Sequence, residues 1–181
     1  MTTTFDFGEG PVPAHQHPNG GGWVADTAYV EESAYIGPNA RVFGKARVKD
    51  NAQVMDNAEV SATAQVYGNA RVYGNAQVTG WAQVYDRALV TGNAQVSGDA
   101  QVWGDAQVYG NAQVSGDAQV YGEACITGNA RVSGNARVYS NARVYGNAQV
   151  WGWAQIRDRA LVSGEAMVSG KTLVGGEARI S

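Results

Sequence analysis

Every sixth residue from Val24 to Ile180 is Val or Ile, with no exception. Four places after each stands Ala, from Ala28 to Ala178, and only Thr172 departs from the rule. The unit reads V-x-G-N/D-A-Q/R, as in Val66-Tyr67-Gly68-Asn69-Ala70-Arg71. So short a unit cannot bury its own apolar face. It becomes stable only when copies stack, so the chain must fold as an all-β solenoid in which each hexad supplies one strand and one corner.

Side chains alternate faces along a strand, so in Ala76-Gln77-Val78-Thr79 the Ala and Val point one way and the Gln and Thr the other. Val fills the centre and Ala fits where the chain bends. Gly followed by Asn or Asp makes the corner, because both types tolerate positive φ. At Asp26, Glu32, Pro38, Asp50, Asp56, Ala62, Asp86, Ser140 and Asp158 another residue replaces the Gly, which predicts that not every corner needs positive φ.

The outward residues set the size of a coil. Tyr67, Tyr85, Trp103, Tyr121 and Tyr139 lie 18 apart, as do Thr79, Ser97, Ser115 and Ser133. A third series alternates Tyr73, Thr91, Tyr109, Thr127, Tyr145 and Ser163. Three hexads therefore make one coil of a triangular, single-stranded parallel β-helix with about nine coils, roughly 43 Å long at ~4.8 Å per coil. Residues 24–181 form this solenoid, and residues 1–23, with Phe5, Phe7, three prolines and Trp23, break the repeat and are expected to be an irregular N-terminal cap with an aromatic or two over the first coil.

Composition narrows the function classes. A net charge of −3 does not advertise nucleic acid or an anionic membrane. Cys125, the single cysteine, excludes an internal disulfide and falls at an outward phase. Strict alternation leaves no apolar run long enough for a membrane span, and residues 1–10 show no signal-peptide pattern, which points to the cytoplasm or a virion.

Four features are candidate sites. The stack Tyr67, Tyr85, Trp103, Tyr121 and Tyr139 reads as a stabilising ladder or, bordered by Gln65, Gln83, Gln101, Gln119 and Arg137, as a flat strip on which sugar rings stack. Leu161, Met167 and Leu173 put apolar side chains at phases that elsewhere hold Gln or Arg, one per face near the C-terminal end, which suggests a covered surface. Trp81 and Trp153 occupy the same predicted corner four coils apart and read as interface anchors, or as rings folded back over a neighbour. His15 and His17 alternate along an extended segment and so could approach one metal, although two ligands need help from Asp6, Glu9 or a symmetry mate, and in a trimer six imidazoles would gather on the axis. The arginines Arg131, Arg137 and Arg143, with the acidic corners Asp99, Asp105, Asp117 and Glu123 before them, read as charge spread along the rod.

The repeat resembles hexapeptide-repeat left-handed β-helices, and most closely the YdcK-type β-solenoid proteins of bacteria and phages, which share the G-N-A-R-V unit and the entry Gly21-Gly22-Trp23-Val24. That resemblance implies a left-handed coil and a bacterial or phage origin. Hexapeptide acyltransferases share the fold and carry a catalytic His on a coil or an inserted loop, whereas residues 24–181 contain neither. The γ-class carbonic anhydrases need three His ligands, and this chain has two His. The expected function is therefore a rigid structural or binding module that self-associates through its C-terminal coils as a dimer or trimer. A carbohydrate-binding module using the aromatic and Gln face, in a phage tail or surface appendage, is the alternative. A transferase with an intersubunit site is a third reading, and another structural protein is a further candidate partner.

Overall fold

The computed structural model describes residues 3–181. Strands β1 (Thr4–Asp6) and β2 (Pro11–Gln16) form an antiparallel hairpin, and β2 pairs antiparallel with β3 (Trp23–Ala25). From Tyr29–Val30 to Arg179–Ile180 every strand is two residues long, and each pairs in parallel with the strand 18 residues before it, the one 18 residues after it, or both where both exist. Gln65 thus lies beside Gln83, and Val66 beside Val84. Three sheets result. The first, starting with the hairpin and β3, has eleven strands, and the second and third, starting at Tyr29–Val30 and Tyr35–Ile36, have nine each. Leaving out the hairpin, nine strands per sheet make nine coils, which is the 18-residue architecture the spacing predicts.

The core is one column. Each Val or Ile of the repeat from Ile36 to Val162 has no exposed surface, and so does each Ala from Ala34 to Ala160. Burying a Val or Ile side chain contributes about 1.5–3 kcal/mol, and a Val–Ala alternation lines the narrow triangle. The backbone stacks in the same register. Before the last coil, the N–H groups of the outward residues donate to the next coil, as in Gln65 to Ala82 (2.9 Å) and Tyr67 to Val84 (3.1 Å).

The corners bear out the mixed rule the sequence suggests. Asp50, Asp56, Ala62, Asp86, Ser140 and Asp158 adopt φ between 55 and 60°, whereas Asp26, Glu32 and Pro38 of the first coil do not have positive φ. Four of the six left-handed replacements are aspartates. Their carboxylates accept from the corner N–H of the next coil: Gly68 to Asp50 (2.8 Å), Gly74 to Asp56 (3.0 Å), Gly104 to Asp86 (3.2 Å) and Gly176 to Asp158 (2.8 Å). That bond offsets the roughly 1–2 kcal/mol an L-residue loses in this region. At the corner between the third and first faces, Asn57, Asn75, Asn93, Asn111, Asn129 and Asn147 form a continuous amide ladder with Nδ2-to-Oδ1 distances of 3.0–3.2 Å.

The described part of the N-terminal segment, residues 3–23, differs from the irregular cap expected for residues 1–23, because a hairpin there extends the first sheet by two strands. Its aromatics do not lie across the core either. Phe5 stacks on Trp23 (4.5 Å between ring centres) and Phe7 on Phe43 (5.0 Å), on the outer side of the first face. Among the described residues of this segment, Ala14 and His17, both 3% exposed, and Gly22 are buried. The turn after β2 closes the third face, since Asn19 accepts from the N–H of Ile36 (3.0 Å) and Gly22 donates to its carbonyl (2.9 Å). The second face begins at Tyr29, which is 53% exposed.

Candidate functional site

Tyr67, Tyr85, Trp103, Tyr121 and Tyr139 of the second face form one continuous stack. Successive ring centres are 4.9, 5.6, 4.4 and 5.0 Å apart, and no pair is tilted by more than 7°. Strand pairing imposes this: side chains at one phase sit one strand spacing apart, near the distance at which aromatic rings stack. Tyr67 reaches the Oε1 of Gln83, and Tyr139 that of Gln155, each at 3.4 Å, which lays the rings along the face. Burial pushes the phenols of Tyr67, Tyr85 and Tyr121 above their ordinary value of 10.0. The consequence for binding is direct. Each inner ring has both faces against its neighbours, so the strip turns ring edges outward, whereas sugar stacking needs open ring faces.

The third face has the same geometry with alternate rungs missing. Tyr109 and Tyr145 are 37% and 39% exposed, and half-buried Thr127 lies between them. Cys125 lies 3.6 Å from the Tyr109 hydroxyl, and the contact raises the Tyr109 pKa. A groove of about 710 Å³ opens here, lined by Tyr109, Thr127, Tyr145, Gln107, Glu123 and Arg143 among others. Asn141 donates to the Glu123 carboxylate at 2.6 Å, which fixes that side of it. Among the described residues Arg143 has no ion pair, and neither have Arg131 and Arg137, while Asp105 pairs with Arg87 (2.7 Å).

The apolar residues near the C-terminal end separate into two kinds. Met167 (64% exposed) and Leu173 (55%) stand out from the last coil. Leu161 is half-buried, lines the groove, and occupies relative to Tyr145 the position Cys125 holds relative to Tyr109, so it belongs with the third face. Met167 and Leu173 also sit on the sheet edge. One coil earlier the N–H groups of Gln149 and Trp151 donate to Ala166 (2.8 Å) and Val168 (2.9 Å), but those of Met167, Ser169 and Leu173 have no such acceptor among the described residues.

Trp81 and Trp153 project from one corner, 63% and 59% exposed, so neither folds back over a neighbour. Their backbones are held in the corner by bonds to Gly98 (2.8 Å) and Gly170 (2.7 Å).

The two histidines lead separate lives. His15 is exposed on β2 with Nδ1 2.9 Å from Asp26, whereas His17 is buried beyond the end of the strand with Nδ1 3.2 Å from the Asn19 carbonyl. The strict alternation assumed for the pair ends with β2 at Gln16. No cluster of three or more His, Cys, Asp or Glu with metal-holding geometry occurs among the described residues. Nor, among these residues, is any helix long and apolar enough to cross a membrane.

The sequence reading missed the groove, although its signal, the Tyr–Thr alternation of the third series, was in plain view. A family model described as the YdcK beta solenoid repeat matches five stretches of the chain, residues 64–80, 82–98, 106–122, 130–145 and 136–152. No curated protein matches it.

Proposed function

We propose, from a β-solenoid in which five stretches match the YdcK beta solenoid repeat, that this chain acts as a rigid structural and binding module that self-associates through its C-terminal coils. The observation that carries the reading is the pairing of two features on one coil: side chains of Met167 and Leu173 open to solvent, and strand edges with free N–H donors beside them. Either alone is common on a protein surface; together they match what a strand-to-strand, apolar-flanked contact requires. The hairpin and the turn after it occupy the first-face and third-face edges at the other end, so association of two C-terminal edges closes a dimer instead of extending a filament. The left-handed wind and the bacterial or phage setting implied by the resemblance belong to this reading.

The test is the double substitution Met167→Ser with Leu173→Ser. Light scattering should give the native chain a mass that is a multiple of 19.0 kDa, and the variant 19.0 kDa, with an unchanged far-ultraviolet spectrum. A variant with the native particle mass removes the C-terminal coil from the contact.

A further inference from the structure

On the third face, the space over Thr127 has the size and the walls of a ring-binding slot. Tyr109 and Tyr145 are separated by two coils, roughly 9.6 Å at ~4.8 Å each. On the second face the same interval holds a third ring, as Trp103 stands between Tyr85 and Tyr121 at 5.6 and 4.4 Å. Thr127 leaves that middle place open. Tyr109 also lies as a ladder tyrosine does. Its hydroxyl reaches the residue 16 places on (Cys125, 3.6 Å), as that of Tyr67 reaches Gln83 (3.4 Å), and Tyr67 in that attitude presents its ring flat to Tyr85. Exposure agrees, since Tyr109 and Tyr145 rank among the exposed large side chains and no member of the filled ladder does.

We propose that this slot binds one pyranose unit of a sugar chain, sandwiched between Tyr109 and Tyr145. Its rim selects a sugar over a planar aromatic group. A pyranose carries C–H bonds on its faces and hydroxyls around its edge, so tyrosine rings pack on the faces while the edge meets Gln107, Arg143 and Glu123. An aromatic ligand would present an apolar edge to those polar groups and leave them desolvated. Glu123, held by Asn141 (2.6 Å), accepts from hydroxyls, and Arg143 donates to them. The groove lies on the side of the rod, so this inference is independent of the C-terminal contact.

Filling the slot tests it. Thr127→Tyr supplies the missing rung with a side chain that the neighbouring face accommodates at every coil from Tyr67 to Tyr139 apart from the tryptophan. Saturation-transfer NMR with cellohexaose, chitohexaose and galacturonohexaose should detect binding of at least one of them to the native chain. Thr127→Tyr and Tyr145→Ala should each weaken it tenfold or more, and Trp103→Ala, on the other face, should leave it within twofold. Far-ultraviolet spectra matching the native one show that each variant is folded. No transfer to any of the three sugars, undiminished binding by folded Thr127→Tyr, or tighter binding of free indole than of the sugars overturns the assignment.

Discussion

Replacing Val102 with aspartate is expected to break the solenoid in the middle. Val102 has no exposed surface and lies between Val84 and Val120 in the same column. All inward neighbours are Val, Ile or Ala, so a carboxylate there meets no donor and no cation. The group must stay protonated or carry an unsolvated charge, and either costs several kcal/mol, about 4 or more for a substitution of this kind. In a stacked array each coil contacts only the coils beside it, so the loss is not shared across the chain. Circular dichroism should show reduced strand content at neutral pH, and limited proteolysis should cut first near residue 102. The pH dependence has a definite sign. Burial raises the folded-state pKa of the new carboxyl above its unfolded value of about 3.9. The folded state then holds its proton more tightly, so the variant is least impaired below about pH 4 and loses stability as pH rises through the folded pKa. A variant that melts with the native chain at pH 7 would mean that this core is not the closed column described.

Removing residues 1–22 is expected to turn a closed particle into a growing one. The hairpin is bonded to β3 through Ala14–Ala25, His15–Val24 and Gln16–Trp23, and Asn19 and Gly22 cover Ile36. Without them the first coil presents edges of the same width, phase and Val–Ala filling as the last. The last coil of one copy can then donate to the first coil of the next in parallel register, as each coil does within the chain. Such a contact is head-to-tail and does not close, which gives filaments. Electron microscopy of the truncated chain should show rods many times the length of one molecule, and a truncated chain that keeps the native particle size would show that the cap has no such role.

Nearly all of the fold could be read from two positions of the hexad. Val or Ile at one and Ala at the other determine strand, corner and inward face together, and the 18-residue series headed by Tyr67 sets the coil. What escaped was whatever depends on neighbouring coils rather than on phase. That the Asp50 and Asp86 carboxylates would each bond the corner N–H of the next coil is something no single hexad displays. The hairpin of residues Thr4–Gln16 escaped because it has no repeat and its partner strand is solenoidal. The candidate site divided the same way. The ladder was legible as a series, but that stacking uses up its ring faces follows only from centre distances of 4.4–5.6 Å. Leu161 shared a phase argument with Met167 and Leu173, yet its half-buried place beside the third-face groove sets it apart.

Small-angle X-ray scattering of the native chain across a dilution series tests the proposed end-to-end association most directly. The longest sheet has eleven strands, so one molecule is about 50 Å long at ~4.8 Å per strand. Two joined at their C-terminal edges should reach about 100 Å with an unchanged cross-section, falling toward 50 Å on dilution. A particle that stays near 50 Å at every concentration, or doubles in cross-section while keeping that length, would contradict end-to-end association.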